Sequence, residues 1–424
     1  MELKQTQVGL IPENWDVKKI SEATIIVTDY VANGSFASLA ENVKYLDTEN
    51  YAVLIRLLDY NNQFSGNFVF IDENSYNFLS KSKLFGGEII ISNVGINVGT
   101  VFKCPKLKYK MSLAPNSIMV KFRGNNDFYF HWLRSFKGQS MLKSIVTGSA
   151  QPKFNKTNFR DIYVPVPPLD IQNKIAALLN VIDDKIELNN KINSNLEQQA
   201  QALFKSWFVD FEPFGGTMPD DWKVGNLLDI ADYLNGLAMQ KFRPAENEKG
   251  LPVLKIKELR QGFCDSSSEL CSLNVKNEYI VNDGDVIFSW SGSLLVDFWC
   301  CGKCGLNQHL FKVTSKNFDK WFYYLWTKHY LEHFAFIAAD KATTMGHIKR
   351  EELEKAKVII PSSECYQKMK QIMIPIYDLL ISNRVENNRL IQLRDTLLPK
   401  LMSGEIDVSK VDILNSNLLF RENA

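Results

Sequence analysis

The chain states its plan twice, and that duplication limits what it can fold into. Ile11-Pro12-Glu13-Asn14-Trp15 returns as Met218-Pro219-Asp220-Asp221-Trp222. Phe85-Gly86-Gly87-Glu88-Ile89-Ile90-Ile91-Ser92 returns as Asn282-Asp283-Gly284-Asp285-Val286-Ile287-Phe288-Ser289. Val164-Pro165-Val166-Pro167 is matched by Val358-Ile359-Ile360-Pro361, and Glu187-Leu188-Asn189-Asn190-Lys191-Ile192 by Val385-Glu386-Asn387-Asn388-Arg389-Leu390. The offsets drift between 194 and 207 residues, so loops vary in length while the order of elements is kept. Each copy is far longer than a solenoid repeat of about 20–50 residues, which makes this a duplicated domain. Two similar modules, each followed by a similar helix, can present two similar surfaces about a pseudo-twofold axis.

A length of 424 residues exceeds one ordinary core and implies at least two domains. No stretch is apolar for long enough to span a bilayer, and Met1-Glu2-Leu3-Lys4-Gln5 does not read as a signal peptide. A cytoplasmic protein without a membrane partner is expected. The seven cysteines, with Cys300 and Cys301 adjacent, argue against a disulfide framework and for a reducing compartment. The net charge of +1 conceals an asymmetry. Between Val101 and Arg160 stand twelve basic residues and only Asp127 against them, whereas 211–361 carries 18 basic and 20 acidic residues. The first excess suits a phosphate-neutralising face, although most lysine-rich runs are simply solvated.

Residues 1–168 read as a mixed module. Short β-rich runs such as Glu88-Ile89-Ile90-Ile91-Ser92 and Asn116-Ser117-Ile118-Met119-Val120 are bounded by Gly, Asn and Pro. Gly86-Gly87 and Asp283-Gly284 supply the turn before the equivalent strand of each copy. One aromatic-rich helix is expected in each, near 129–143 and 320–336. Pro165-Val166-Pro167-Pro168 halts the last strand, and Asp170 is the expected N-cap of a helix running from about 171 to 208. Its four–three seam comprises Ile175, Leu179, Ile182, Ile186, Asn189, Asn193, Leu196, Ala200, Leu203 and Trp207. The second copy gives Ile376, Leu380, Asn383, Asn387, Leu390, Arg394, Leu397 and Leu401, with Ser362 or Ser363 as cap and Gly404 as stop. Both seams have asparagines at mid-length, a pattern that sacrifices stability for register. Each seam could pack on its own module. Pairing with the other seam is favoured because the seams exceed what one small domain can cover. The expected helix-pairing residues are Ile182, Ile186, Asn189, Asn193 and Leu196 on one helix and Leu380, Asn383, Asn387, Leu390 and Leu397 on the other.

Catalytic motifs do not emerge. Val166-Pro167-Pro168-Leu169 has the prolines of an amino-methyltransferase element but neither its Asn/Asp nor its aromatic residue, and no Walker A sequence occurs. Cys301-Gly302-Lys303-Cys304 has knuckle spacing, and His329 and His333 stand at i, i+4. The gap between them is too long for a zinc finger, so free thiols in a strand-turn-strand are expected. No cofactor and no metal are therefore expected.

The duplicated plan, the Pro167-Pro168-Leu169-Asp170-Ile171-Gln172 run leading into a long helix, and the Gly284-to-Gly292 stretch resemble the DNA-specificity subunits of type I restriction–modification systems. So does the ending Leu397-Leu398-Pro399-Lys400-Leu401-Met402-Ser403-Gly404-Glu405-Ile406. The resemblance covers nearly the whole chain. It implies an α+β protein with two mixed α/β target-recognition domains in pseudo-twofold arrangement, separated by a pair of long antiparallel, coiled-coil-like helices. Residues 1–168 and 211–361 would read the halves of a split target in double-stranded DNA. Residues 169–210 and 362–405 would set the gap and dock two copies of an adenine methyltransferase (modification) subunit. Restriction/translocase subunits would join the assembly, residues 406–424 would form a tail, and this chain would not itself be an enzyme.

Base edges are read by Asn, Gln, Arg, Lys, Ser or Thr, most freely from loops. The candidates in the first module are Asn93, Asn97, Lys103, Ser149, Gln151, Lys153 and Lys156. In the second they are Lys241, Arg243, Ser291, Ser293, Asn307, Gln308, Thr343, Thr344, His347 and Lys349. The bland alternative for each is a solvated loop residue or a partner of nearby backbone. Two rival functions remain: a self-sufficient DNA modification enzyme with a diverged cofactor site, and a helical scaffold that never touches DNA.

Overall fold

The structure, a computed structural model, describes residues 2–340 and 348–411. Two compact units emerge: one of residues up to Asp183 together with those from Leu393 onward, the other of Asp184–Gln392.

Unit 1 holds a four-stranded antiparallel sheet in the order Val101–Lys103, Ile89–Ser92, Ser117–Phe122, Thr24–Asp29. Unit 2 repeats it with Leu295–Phe298, Val286–Ser289, Leu310–Thr314 and Asp232–Asn235. Each unit also has a second sheet built around one parallel pair. In unit 1 that pair is Ala52–Ile55 with Lys110–Leu113, and in unit 2 it is Leu251–Leu254 with Cys304–Leu306. A two-stranded ladder closes each unit, Tyr163–Val166 on Asp16–Lys19 and Lys357–Ile360 on Lys223–Asn226. The repeat in sequence is thus a repeat in topology. Gly86, Gly87 and Gly284 all have positive φ at the turn before the strand, a conformation that glycine adopts without a Cβ clash.

The aromatic helices differ from expectation in one respect: each is broken. Asn126–Arg134 and Phe136–Ser144 meet at Ser135, whose extended backbone ends one helix while its side chain accepts from Gly138 N and caps the next. A Cβ on Gly138 would lie 2.2 Å from the Trp132 carbonyl oxygen, so the sharp junction requires glycine there. Lys320–His329 and Leu331–Asp340 meet at Tyr330, which keeps helical dihedrals (φ −85°, ψ −2°). Periodicity reports an apolar face and is blind to a one-residue break that a capping serine makes favourable.

The two long helices are Leu169–Phe208 and Ser363–Met402, 40 residues each. The first begins at Leu169, with the Pro168 carbonyl accepting from Gln172 N at 3.0 Å. Asp170 therefore sits inside the first turn, where its charge suits the helix dipole, and is not the cap. Gln172 locks this start: its Oε1 accepts from Asn125 N at 2.9 Å and its Nε2 donates to the Pro167 carbonyl at 2.8 Å. In unit 2 the Tyr366 hydroxyl takes the equivalent place, accepting from Asp319 N at 2.7 Å. Both contacts satisfy the backbone N–H just before an aromatic helix.

Each unit thereby combines the start of one long helix with the end of the other. In unit 1 Ile175, Ala176 and Leu179 share a core with Leu401, Met402, Trp15 and Trp132. Gly404, at φ +72°, ends the second helix against Pro12. In unit 2 Ala200, Phe204 and Phe208 share a core with Met369, Met373, Tyr377 and Leu380, and Phe208 packs on Trp222 with ring centroids 5.7 Å apart. The duplicated Pro-to-Trp motif is thus the seat for a helix end in both units.

Candidate nucleic-acid interface

In unit 1 the loop that leaves Ile89–Ser92 meets the segment that joins the helices Phe136–Ser144 and Lys156–Arg160. Gly95 N donates to the Pro152 carbonyl at 2.8 Å, Phe154 N to the Asn93 carbonyl at 3.0 Å, and Asn93 Nδ2 to the Phe154 carbonyl at 3.0 Å. Val94 and Lys153 form an isolated bridge. The segments 92–97 and 147–155 are therefore one surface, on which Asn97, Ser149, Gln151 and Lys153 are exposed. Asn93 is structural as placed, yet its buried Oδ1 has no hydrogen-bond partner among the described residues. Asn93 also lines a cleft of about 430 Å³ with Asp29, Tyr30, Phe36, Tyr45 and Asn116. The Asn116 contribution was not anticipated, although Pro115-Asn116 is a turn signal and Asn116 has φ +65°.

Part of the basic excess is neutralised within unit 1. Lys103 pairs with Asp127 at 2.9 Å and lies over the Phe130 ring, and Lys156 pairs with Asp29 at 2.7 Å. Arg134 pairs with Asp183 at 3.0 Å. These cations came from one stretch of sequence, but two of their three carboxylate partners, Asp29 and Asp183, lie outside it. Lys153 is exposed on the loop surface.

Unit 2 gathers Ser291, Ser293, Asn307, Gln308 and Lys349 at the corresponding strand ends. Ser291 is buried and its Oγ lies 3.1 Å from His309 Nδ1. Gln308 Nε2 lies 3.3 Å from His309 Nε2, and His309 N donates to Asn307 Oδ1 at 3.3 Å. Asn307, 6% exposed, lies against the backbone of Gly236 and bridges to Leu237. Trp290 Nε1 donates to Asn235 Oδ1 at 3.0 Å, and its ring lies 6.0 Å from His309. Ile348 N donates to the Trp290 carbonyl, which brings the segment holding Lys349 to this edge. Ser293, Lys241, Arg243 and Lys349 are exposed, with Arg243 3.3 Å from Glu269. Thr343, Thr344 and His347 lie outside the described residues. Asn235 was missed in sequence because nothing local marks it. Cys304 is buried with its Sγ 3.6 Å from that of Cys264, and among the described residues no group of three or more His, Cys, Asp or Glu is arranged to hold a metal ion.

The seam is polar where the sequence placed its asparagines. In unit 2 Asn189 Nδ2 donates to Asn387 Oδ1 at 2.9 Å and to Glu386 Oε2 at 2.7 Å. Asn387 Nδ2 donates to Asn190 Oδ1 at 2.9 Å. Asn383 Nδ2 donates to Asn193 Oδ1 at 3.0 Å, and Asn193 Nδ2 to the Leu380 carbonyl at 3.4 Å. Asn189 opposite Asn387 with Asn193 opposite Asn383 is an antiparallel register. Leu380 is buried, and Ile186, Leu196 and Leu390 are half-buried. Arg384, unanticipated, bridges Asp297 at 2.6 Å and Glu197 at 2.5 Å. Burial disfavours its charge, but the two carboxylates outweigh that and raise its pKa. In unit 1 Ile182 is buried and Leu397 packs on the core. Arg394 pairs there with Asp183 at 2.9 Å. Burial would raise the Asp183 carboxyl, but Arg134 and Arg394 hold it below the usual carboxylate range.

No helix among the described residues is long and apolar enough to cross a membrane. The chain is similar over 97% of its length, at 28% identity, to the type I restriction enzyme MjaIX specificity subunit of Methanocaldococcus jannaschii, 98% of which is covered. It is 24% identical over 98% of its length to the EcoKI specificity subunit of Escherichia coli, with 94% of that protein covered. The fold matches the crystal structure of a type I restriction–modification S subunit from M. genitalium, with TM-score 0.54, 15% identity, and coverage of 92% of this chain and 96% of that one. The sequence model described as the type I restriction modification DNA specificity domain matches residues 12–198 and again 219–393. With both halves matched, the chain belongs to the type I restriction–modification DNA specificity family and carries its domain twice.

Proposed function

We propose that this chain is the sequence-reading subunit of a type I restriction–modification complex and that each unit reads one half of a bipartite duplex target. The observation that carries the reading is the duplicated site. The same end of the same four-stranded sheet gathers polar loop residues in both units, Asn97, Gln151 and Lys153 in one and Ser293, Gln308 and Lys349 in the other. Exposed amides, hydroxyls and cations are the groups that contact base edges and phosphates.

The domain assignment we infer is 1–168 and 211–361 for reading, with 169–210 and 362–405 as ruler and docking surface. Two methyltransferase subunits would dock there, and restriction/translocase subunits would complete a cytoplasmic assembly. The methyl transfer and DNA cleavage would belong to those partners, and this chain would supply address and spacing.

The test is a reader exchange. Residues 1–168 are replaced by the equivalent segment of a family member of different specificity, and methylated adenines are mapped genome-wide in cells carrying the partner subunits. One half of the methylated motif should change and the other persist. A motif altered in both halves would defeat independent reading.

A further inference from the structure

Ile96 is 93% exposed, far more than an apolar side chain needs to be on a surface loop. It occupies the tip of the loop after Ile89–Ser92, between Gly95 and Asn97. The backbone holds it there by a closed set of hydrogen bonds. Gly99 N donates to the Ser92 carbonyl at 2.8 Å, Val98 N to the Gly95 carbonyl at 3.0 Å, and Thr100 N to the Asn97 carbonyl at 3.2 Å. The Thr100 hydroxyl donates to the Asn97 carbonyl as well, at 2.9 Å. Gly95 and Gly99, with φ of +97° and +91°, make the reversal that a Cβ would strain. Gly95 is also tied to Pro152 in the neighbouring loop. The tip is thus fixed in place before any partner arrives, with its one large apolar group in water and polar residues on either side.

The second copy gives an internal comparison. Its loop, residues 290–294 after the equivalent strand Val286–Ser289, is shorter, and its exposed residues are Gly292 and Ser293. The scaffold therefore does not require a branched aliphatic side chain there. A rigid, isolated aliphatic tip flanked by Asn97, Gln151 and Lys153 has the form of a wedge that parts stacked bases, with cations and amides to hold the backbone and groove on each side.

We propose that Ile96 inserts between two base pairs of the first half-target and unstacks that step, while the second half-target is read without such insertion. This rests on the reading of unit 1 as a DNA reader. Its consequence is specificity without hydrogen bonds, since an easily unstacked step, such as a pyrimidine–purine step, would be favoured where the wedge enters.

The experiment uses the full chain assembled with its modification subunits. Duplex targets carry a fluorescent base analogue, 2-aminopurine or pyrrolocytosine, at each position of either half in turn, the methylated adenines excepted. The parent chain should raise fluorescence at one step of the first half only. Ile96→Ala should abolish that rise and weaken binding about tenfold or more, the scale of removing a buried aliphatic side chain. Ile96→Leu should restore both. Because Ile96 is exposed, neither change threatens folding, and methylation-motif mapping of the second half serves as the control. Specific binding by the parent chain with no unstacked step, or a step unchanged in Ile96→Ala, overturns the wedge alone. Absence of sequence-specific binding by the parent assembly overturns the reader assignment and the wedge with it.

Discussion

Replacing the Asn193–Asn383 pair should show that the polar seam acts through mutual satisfaction of its members. Both residues are buried in unit 2, at 6% and 7% exposure. Asn193→Leu removes the acceptor for Asn383 Nδ2 and leaves a donor in the seam with no partner. That desolvation penalty is about 1–3 kcal/mol, only partly offset by the added apolar contact. Asn383→Leu strands Asn193 Oδ1 at similar cost. The double Leu variant removes both amides and lays an apolar pair in a seam that already holds Leu196 and Leu380. Its stability should return to within about 0.5 kcal/mol of the parent or exceed it. The coupling energy of the cycle then equals the sum of the two single losses to within about 0.5 kcal/mol. For a unit of this size each kcal/mol moves the melting point by about 2–4 °C. The assay is thermal unfolding of the full chain followed by tryptophan fluorescence, because Trp222, Trp321 and Trp326 all lie in the unit 2 core. A double variant that loses the sum of the two single losses would refute the argument. In that case the asparagines would be stabilising independently, through solvent or backbone, and not as a pair.

Two further outcomes follow from the geometry. His131 is 1% exposed in unit 1, and burial drives its pKa down to about 4 despite the nearby Asn180 and Asp183. The unfolded chain, with an ordinary histidine, takes up a proton first as pH falls, so stability is complete above about pH 6.5 and is lost at up to about 1.4 kcal/mol per pH unit down to about pH 4. Urea midpoints for His131→Gln should lack this slope, and an unchanged slope would remove His131 as its source. Inserting one helical turn at matched positions in Leu169–Phe208 and Ser363–Met402 should lengthen the gap in the methylated motif while leaving both half-sites intact. An unaltered gap in a folded, active complex would end the ruler role.

The candidate interface shows where sequence reading stops. Polar, glycine-containing runs marked the loops, because such residues are unsuited to the interior of strands and suited to turns. Which of them remain available to a partner depended on distant neighbours. Lys103 and Lys156 are engaged by Asp127 and Asp29, and Ser291 and Asn307 turn inward to the His309 network and the Gly236 backbone. Asn235 and Arg384 gave no local signal, since each matters through a partner 55 or 87 residues away.

Sequence alone determined the duplication, the long helices, their Asn-centred seams and the turns before the paired strands. Each of these is a matter of spacing or local conformational preference, which neighbouring residues decide among themselves. Tertiary structure decided what covers each apolar face. It placed the start of one long helix and the end of the other in each core, set a parallel strand pair inside each second sheet, and broke the aromatic helices at Ser135 and Tyr330. Periodicity specifies that a face must be buried; only packing between segments remote in sequence specifies against what.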